Sequence, residues 1–430
     1  MKKHIVVTLV LIITGAPALN SQKVLTLKEC CDKAMAANAL AGESDTYNNI
    51  SLLRDKNLSA GWLPSLDASG SIVYNSSVID ISNSLGSLPV PPGSFKPLPR
   101  EQYKITVDIN QLIYDGGAIR RARAVEKADL RVNTKQAESD QYKLRAQVTG
   151  YYFSILLLGR QKELIENYLE LLDKRIRAMQ SALANGTIIK TDIDVLRSET
   201  IKLGQHVKEI DIKRASLLDI LSGITGVEID PSTTFILPPL PADLPCELAR
   251  PELQLFDLRK EQLAAGMNLI NSRRMPRAYG FASLGYGNPP GNNFFRDEFA
   301  PFYVAGAGIK WNIFDWNKAR NEKQALALQQ EIIDGRKTDL ADNLQRMLEA
   351  KKAEIKSLEA LIESDKELIA MRKRITATAE SRYENGTITA TGYLDEMNSE
   401  REALINFEIH RINLSMAGIE YMNISGKELE

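Results

Sequence analysis

The sequence predicts a mainly α-helical chain that also contributes four strands to a transmembrane β-barrel continuous with a long helical coiled-coil barrel. Three observations predict it. The chain contains an internal duplication; four half-apolar alternating segments have membrane-crossing length; and proline-free helical stretches of nearly seventy residues keep a seven-residue apolar rhythm.

The duplication comes first, because it organises everything else. Tyr103/Tyr303, Ile109/Ile309, Ile113/Ile313, Asp115/Asp315 and Arg120/Arg320 match at a spacing of 200. Farther on, Asn185-Gly186-Thr187-Ile188 matches Asn385-Gly386-Thr387-Ile388 at the same spacing. A looser match pairs Trp62-Leu63-Pro64 with Arg274-Met275-Pro276. The expected layout is a signal peptide over 1–21, repeat 1 over 22–224, a Pro-rich linker over 225–250, repeat 2 over 251–424 and a tail over 425–430. The signal peptide follows from Lys2 and Lys3, the apolar run Ile5 to Thr14, and small residues that place cleavage near Ala18 or Ser21.

Within repeat 1, Leu25 to Ala60 is expected as a helix. Leu66, Ala68, Gly70, Ile72 and Tyr74 then alternate with Asp67, Ser69, Ser71, Val73 and Asn75, and Tyr103 to Asn110 alternate in the same way. Period two with one apolar face is the mark of a strand. The Ser-, Pro- and Gly-rich stretch from Ser76 to Glu101 reads as their loop. Repeat 2 supplies strands over about 277–287 and 302–313, where Tyr279 and Phe281 fall on the face otherwise polar. Eleven aromatic residues lie between Tyr279 and Trp316, where strands would meet lipid headgroups.

Ala118 to Ala184 and Asn317 to Glu384 contain no proline; a helix of that length extends about 100 Å. Ile165, Leu169, Leu172, Ile176, Met179 and Leu183 keep the a/d rhythm of a coiled coil. Ala341, Leu348, Ile355, Ile362, Ile369, Thr376 and Tyr383 recur every seven residues, and Leu196, Leu203, Ile210 and Leu217 mark a return helix. Four strands cannot close a membrane barrel, since the smallest have about eight. Open strand edges are not tolerated in lipid, so the barrel must be shared among subunits.

Composition excludes several classes. The 54 basic and 55 acidic residues nearly cancel, which leaves no electrostatic footprint for nucleic acid. Cys30, Cys31 and Cys246 give no disulfide framework, and no lipobox precedes the first two, which are expected as buried thiols on a helix. After the signal peptide the only histidines are His206 and His410, and no HExxH, Gly-x-Ser-x-Gly or phosphate-cradling Gly-Lys-Ser/Thr motif occurs. Gly306-Ala307-Gly308 reads as small residues on a barrel wall. No enzymatic activity, cofactor or metal is expected.

The two Asn-Gly-Thr turns, with Thr191-Asp192-Ile193-Asp194-Val195-Leu196 and Gly392-Tyr393-Leu394-Asp395 behind them, resemble the TolC family of outer-membrane efflux proteins. So does the duplicated helix–strand–strand–helix order over essentially the whole chain after the signal peptide. The resemblance implies a homotrimer with a 12-stranded barrel in the outer membrane of a Gram-negative bacterium and a helical periplasmic extension. It implies an exit duct of a tripartite efflux or type I secretion system, docked by a periplasmic adaptor and fed by an RND, ABC or MFS-type inner-membrane pump.

It also implies a periplasmic gate. Tyr383 matches the family's tip tyrosine, Asp192 the aspartate bonded to it, and Asp395 an aspartate facing the pore. Asn185, Gly186, Thr187, Asn385, Gly386 and Thr387 match the adaptor-docking tips. Ile388 stands where the family has an arginine and Gly392 where it has an upper pore aspartate. From the residues alone, each Asn-Gly-Thr also suits any helix hairpin, glycine at a C-cap and threonine capping the next helix. The alternative is a periplasmic coiled-coil scaffold or adaptor without a barrel, against which stand the alternating segments and the aromatic cluster.

Overall fold

The duplication is visible as two series of matching parts. The computed structural model describes residues 24–78, 98–184, 188–241, 243–244, 246–293 and 296–427. The expected signal peptide lies outside them. In chain order the elements are β1 (Val24–Leu25), α1 (Leu27–Ala37), α2 (Glu43–Ala60), β2 (Ser65–Tyr74), β3 (Glu101–Tyr114), α3 (Ala118–Ala184) and α4 (Lys190–Thr225). They continue with β4 (Thr234–Phe235), α5 (Pro251–Ser272), β5 (Arg277–Asn288), β6 (Ala300–Lys310), α6 (Lys318–Glu384) and α7 (Ala390–Ser425). α3 and α6 each have 67 residues, and α4 and α7 each have 36. No described helix is long and apolar enough to cross a membrane.

Two elements differ from expectation. The first helix is two helices. Thr26 and Glu29 form a capping box at the start of α1, and the backbone turns extended at Asn38 before Gly42 begins α2. Asparagine competes for backbone hydrogen bonds and glycine loses backbone entropy, so a helix breaks most cheaply there. The last strand stops at Lys310, short of Ile313. Its ladder with β5 ends at Arg277↔Lys310, and the next partner is Pro276, which has no N–H to donate. Trp311 donates its indole N–H to the Arg274 carbonyl instead, at 3.0 Å.

Packing divides the chain across the repeats. One compact unit comprises residues 40–140 and 248–345, the other 1–39, 141–247 and 346–430.

The first unit holds an antiparallel sheet in the order β2-β3-β5-β6. Its register puts Leu66 opposite Ile109, Ala68 opposite Val107 and Ile72 opposite Tyr103, all on one face. That face is apolar and bare: Ile72, Ile105, Tyr303 and Ile309 are 77%, 66%, 80% and 77% exposed. On the other face Ser69, Thr106, Asp108 and Ser283 form a hydrogen-bonded chain. The Ser69 and Thr106 hydroxyls lie 2.8 Å apart, and Thr106 and Ser283 both donate to Asp108. Tyr279 and Phe281 belong to this polar face, and the ladder shows why. They sit opposite Gly308 and Gly306, and their rings cover those glycines so closely that an added Cβ would fall 2.7 Å from either ring. An aromatic ring laid over a cross-strand glycine restores the contact the missing side chain forfeits. β2 and β6 each pair on one side only among the described residues, which leaves two open edges.

The second unit is built from α1, α4, α7 and most of α3 and α6. Leu27, Cys30, Cys31 and Ala34 of α1 pack on Val148, Tyr152, Leu218, Leu221 and Ile412. Burial pushes the Cys30 thiol up to about 11 and the Cys31 thiol up to about 12. A thiol held protonated is neither a nucleophile nor a metal ligand, so these cysteines are packing groups.

The Pro-rich linker is not featureless. β4 lies parallel to β1, and the Tyr152 hydroxyl sits 3.0 Å from the Leu25 carbonyl and 2.6 Å from that of Ile236, tying both strands to α3. Farther along, Ser415 of α7 donates to the Pro238 carbonyl at 2.6 Å. The linker then crosses α7 at Gly418, where a Cβ would stand 2.6 Å from Leu240 and 2.8 Å from Pro241.

Candidate gate at the hairpin tips

The tips belong to the helical unit, and their geometry starts in the heptads. On α3, Ile165, Leu172, Ile176 and Met179 are buried against Ile193, Leu196, Leu203 and Ile210 of α4. On α6, Leu348, Ile355 and Ile362 are buried at the expected positions. The companion positions of the same heptads are Leu344, Lys351, Leu358, Asp365, Arg372 and Ala379, three of them charged. Each charged member meets a residue of α7: Lys351 with Glu420 at 2.5 Å, Asp365 with His410 at 2.6 Å, and Arg372 with Glu396 at 3.3 Å. A polar residue inside a seam selects one register, because any slide leaves it without its partner.

A further pair ties the two hairpins together. Glu199 of α4 is 7% exposed and lies 3.2 Å from Arg401 of α7, whose guanidinium stands 4.9 Å over the Tyr168 ring of α3. The Tyr168 hydroxyl donates to Asn398 Oδ1 at 3.2 Å, and burial pushes its pKa up.

At the tip itself, Asn185, Gly186 and Thr187 lie outside the described residues. The second turn is well defined. Gly386 adopts φ 68°, the left-handed conformation glycine takes without steric cost, and closes α6 through its N–H to the Tyr383 carbonyl at 2.9 Å. Thr387 does not cap α7: its hydroxyl donates back to the Arg382 carbonyl at 2.9 Å, beside its own N–H at 2.8 Å. The cap is Thr389, whose Oγ1 accepts from Gly392 N–H at 3.1 Å. Asn385 donates from its side chain to the Ser381 carbonyl.

Tyr383 is stacked on Tyr393, ring centres 5.6 Å apart and planes within 10°. Its hydroxyl is buried and has no hydrogen-bond partner among the described residues. Burial first and the nearby Asp192 carboxylate second push its pKa up. The Asp192 carboxylate accepts the Ile189 backbone N–H at 3.3 Å, which caps α4. Asp192 and Tyr383 are thus neighbours without a bond between them. Asp395 is exposed, and its carboxylate has no hydrogen bond or ion pair among the described residues. Ile388 packs into the apolar cluster of the tip and, with Gly392, lines a groove of about 480 Å³ flanked by Met371, Arg374, Arg382 and Glu396.

Sequence reasoning missed the residue that gathers this site. Arg175 of α3 pairs with Glu380 and, at 3.7 Å, with Glu384 of α6, while its guanidinium stands 5.9 Å from the Tyr393 ring centre. One side chain therefore joins α3, α6 and α7. The signal was faint: Arg175 follows Tyr168 by seven residues and stands one position before Ile176, at the flank of the apolar rhythm.

Residues 56–200 match the family described as outer membrane efflux protein. No curated protein matches the sequence. Solved structures share the fold. CusC is 12% identical with a TM-score of 0.70, over 94% of this chain and 92% of that one. The CmeC outer membrane channel of Campylobacter jejuni is 13% identical at 0.64, over 93% and 85%. VceC, an outer membrane protein of Vibrio cholerae, is 14% identical at 0.65, over 92% and 96%. Residues 56–200 thus carry the match to the outer membrane efflux protein family, and nearly the whole chain shares the fold of these outer membrane proteins.

Proposed function

We propose that three copies of this chain close a 12-stranded barrel in the outer membrane and continue it as a helical periplasmic tube. The observation that carries the proposal is the four-stranded sheet with a bare apolar face, a hydrogen-bonded polar face and two open edges. Lipid forbids open edges, and a membrane barrel needs about eight strands or more. Copies of the chain supply them. The apolar face meets lipid and the Ser69–Thr106–Asp108–Ser283 face lines water.

The tube is the exit duct of a tripartite efflux or type I secretion system. A periplasmic adaptor docks at the turns Asn185-Gly186-Thr187 and Asn385-Gly386-Thr387, and an inner-membrane pump behind it selects the cargo. The gate lies at the tips, where Asp192 and Tyr383 are neighbours and Asp395 projects into solvent. In the assembled ring Asp395 repeats once per subunit, and a ring of carboxylates favours cations.

Single-channel recording in planar bilayers tests both parts. The protein forms discrete channels, Tyr383→Phe with Asp192→Ala raises their conductance, and Asp395→Asn lowers their preference for cations. Channels that all three substitutions leave unaltered remove these residues from the gate, and absence of channels removes the duct.

A further inference from the structure

All three tryptophans of the chain stand at the helix-side end of the sheet. Trp62 lies just before β2, Trp311 directly follows β6, and Trp316 lies just before α6. They are 42%, 58% and 84% exposed. Each is held in place. The Trp62 carbonyl accepts from Gln111 Nε2 at 2.8 Å, the Trp311 indole donates to the Arg274 carbonyl, and the Trp316 ring meets Phe314 edge-on at 4.9 Å.

Trp316 and Asn317 have φ of 54° and 63°, a left-handed conformation that side chains with a β-carbon disfavour. The equivalent residues of the first repeat are Gly116 and Gly117, with φ of 67° and 81°, which adopt it freely. A tryptophan retained where glycine is the natural residue has a reason in its side chain.

Charge supplies the second observation. Of the cations at this end, Arg123 pairs with Asp55 and Arg273 with Glu322. Arg120, Arg274, Lys318 and Arg320 are exposed and enter no ion pair among the described residues. The nearby carboxylates are occupied: Asp115 accepts the Gly117 and Ile119 N–H groups, and Asp315 accepts that of Ala319. Neither α3 nor α6 has an acidic residue in its first turn. The unpaired cations there stand against the helix dipole, so an anionic partner outside the chain is called for. The alternation of β6 carries the apolar face from Ile309 to Trp311 without a break, so that partner borders the surface assigned to lipid.

We propose that this end of the sheet is an anchor for anionic phospholipid. Trp62, Trp311 and Trp316 lie at the headgroup level, where an amphipathic indole is most stable, and Arg120, Arg274, Lys318 and Arg320 bind lipid phosphates. The inference rests on the reading that the sheet spans the membrane.

Because no tryptophan lies elsewhere, intrinsic fluorescence of the full chain reports this end alone. The assembled protein is reconstituted into phosphatidylcholine vesicles containing lipid brominated either beside the headgroup or near the chain end. Headgroup-proximal bromine quenches the emission more. A second arm compares thermal unfolding in phosphatidylcholine vesicles with and without phosphatidylglycerol. The anionic lipid raises the transition of the unaltered protein, and the variant Arg120→Gln, Arg274→Gln, Lys318→Gln, Arg320→Gln loses that rise. Quenching led by the deep bromine, or none while circular dichroism shows the sheet inserted, overturns the anchor and leaves the barrel standing. A rise that survives in the variant overturns the phosphate assignment. Protein that stays outside the vesicles overturns the membrane-spanning reading itself.

Discussion

Arg401→Ala should be the most destabilising single substitution in the helical unit, costing about 3–5 kcal/mol, because it leaves the Glu199 carboxylate buried without its partner. The Glu199 side chain is 8% exposed and that of Arg401 13%, so solvent screens the pair little. Lys202 reaches Glu199 only at 3.7 Å, from a side chain 74% exposed, and does not substitute for the guanidinium. The loss also strips the cation from the Tyr168 ring. Hydrogen–deuterium exchange of the assembled protein would read it as lost protection in α4 around Glu199 and in α7 around Arg401. The double variant Glu199→Gln, Arg401→Met should retain more protection than the single one, since it abandons no charge in the interior. Equal losses in the two would mean that the pair contributes packing and no electrostatic penalty.

Arg175→Ala should open the tip. The residue holds Glu380, Glu384 and the Tyr393 ring at once, but Glu384 is 64% exposed and Glu380 is 34% exposed. Each ion pair is therefore worth about 0.2–1 kcal/mol after screening, and the cation over the ring about 0.5–1 kcal/mol. Together they reach one or two kcal/mol, a factor of about 5–30 between two states of the tip. Single-channel recording should show a higher conductance or a longer open time in Arg175→Ala. Arg175→Lys should fall between, since a lysine keeps the charge but not the planar fork. Tyr383→Phe alone should change little, because the hydroxyl it removes has no partner among the described residues. A large effect of Tyr383→Phe with none of Arg175→Ala would return the gate to the tyrosine and take it from the arginine.

Much of this architecture was legible because the determinants are periodic. Helices of equal length at a fixed offset follow from the repeat, and the buried faces of α3 and α6 from their heptads. What escaped lay where tertiary partners override a local pattern. The strand expected over 302–313 ends at Lys310 because Pro276, just ahead of the neighbouring strand β5, has nothing to donate. Tyr279 and Phe281 look misplaced in sequence, and they are explained by glycines on the neighbouring strand.

The tip shows the same contrast. The turn at Gly386 was readable from its residue type, but the capping threonine proved to be Thr389 and not Thr387, since both lie within reach of the helix start. Arg372 and Lys351 were visible as charges inside an apolar rhythm, and Arg175 as a charge at its flank. A charge at a seam position must have a partner across the seam, and the partners on α7 lie too far along the chain for the local pattern to show them.

The claim beneath all of this is that a sheet with two open edges and a bare apolar face is completed by other copies of the same chain. Native mass spectrometry of the detergent-purified protein tests it most directly. The account predicts a complex with three times the mass of the mature chain. A detergent-soluble monomer with its strands intact would contradict it.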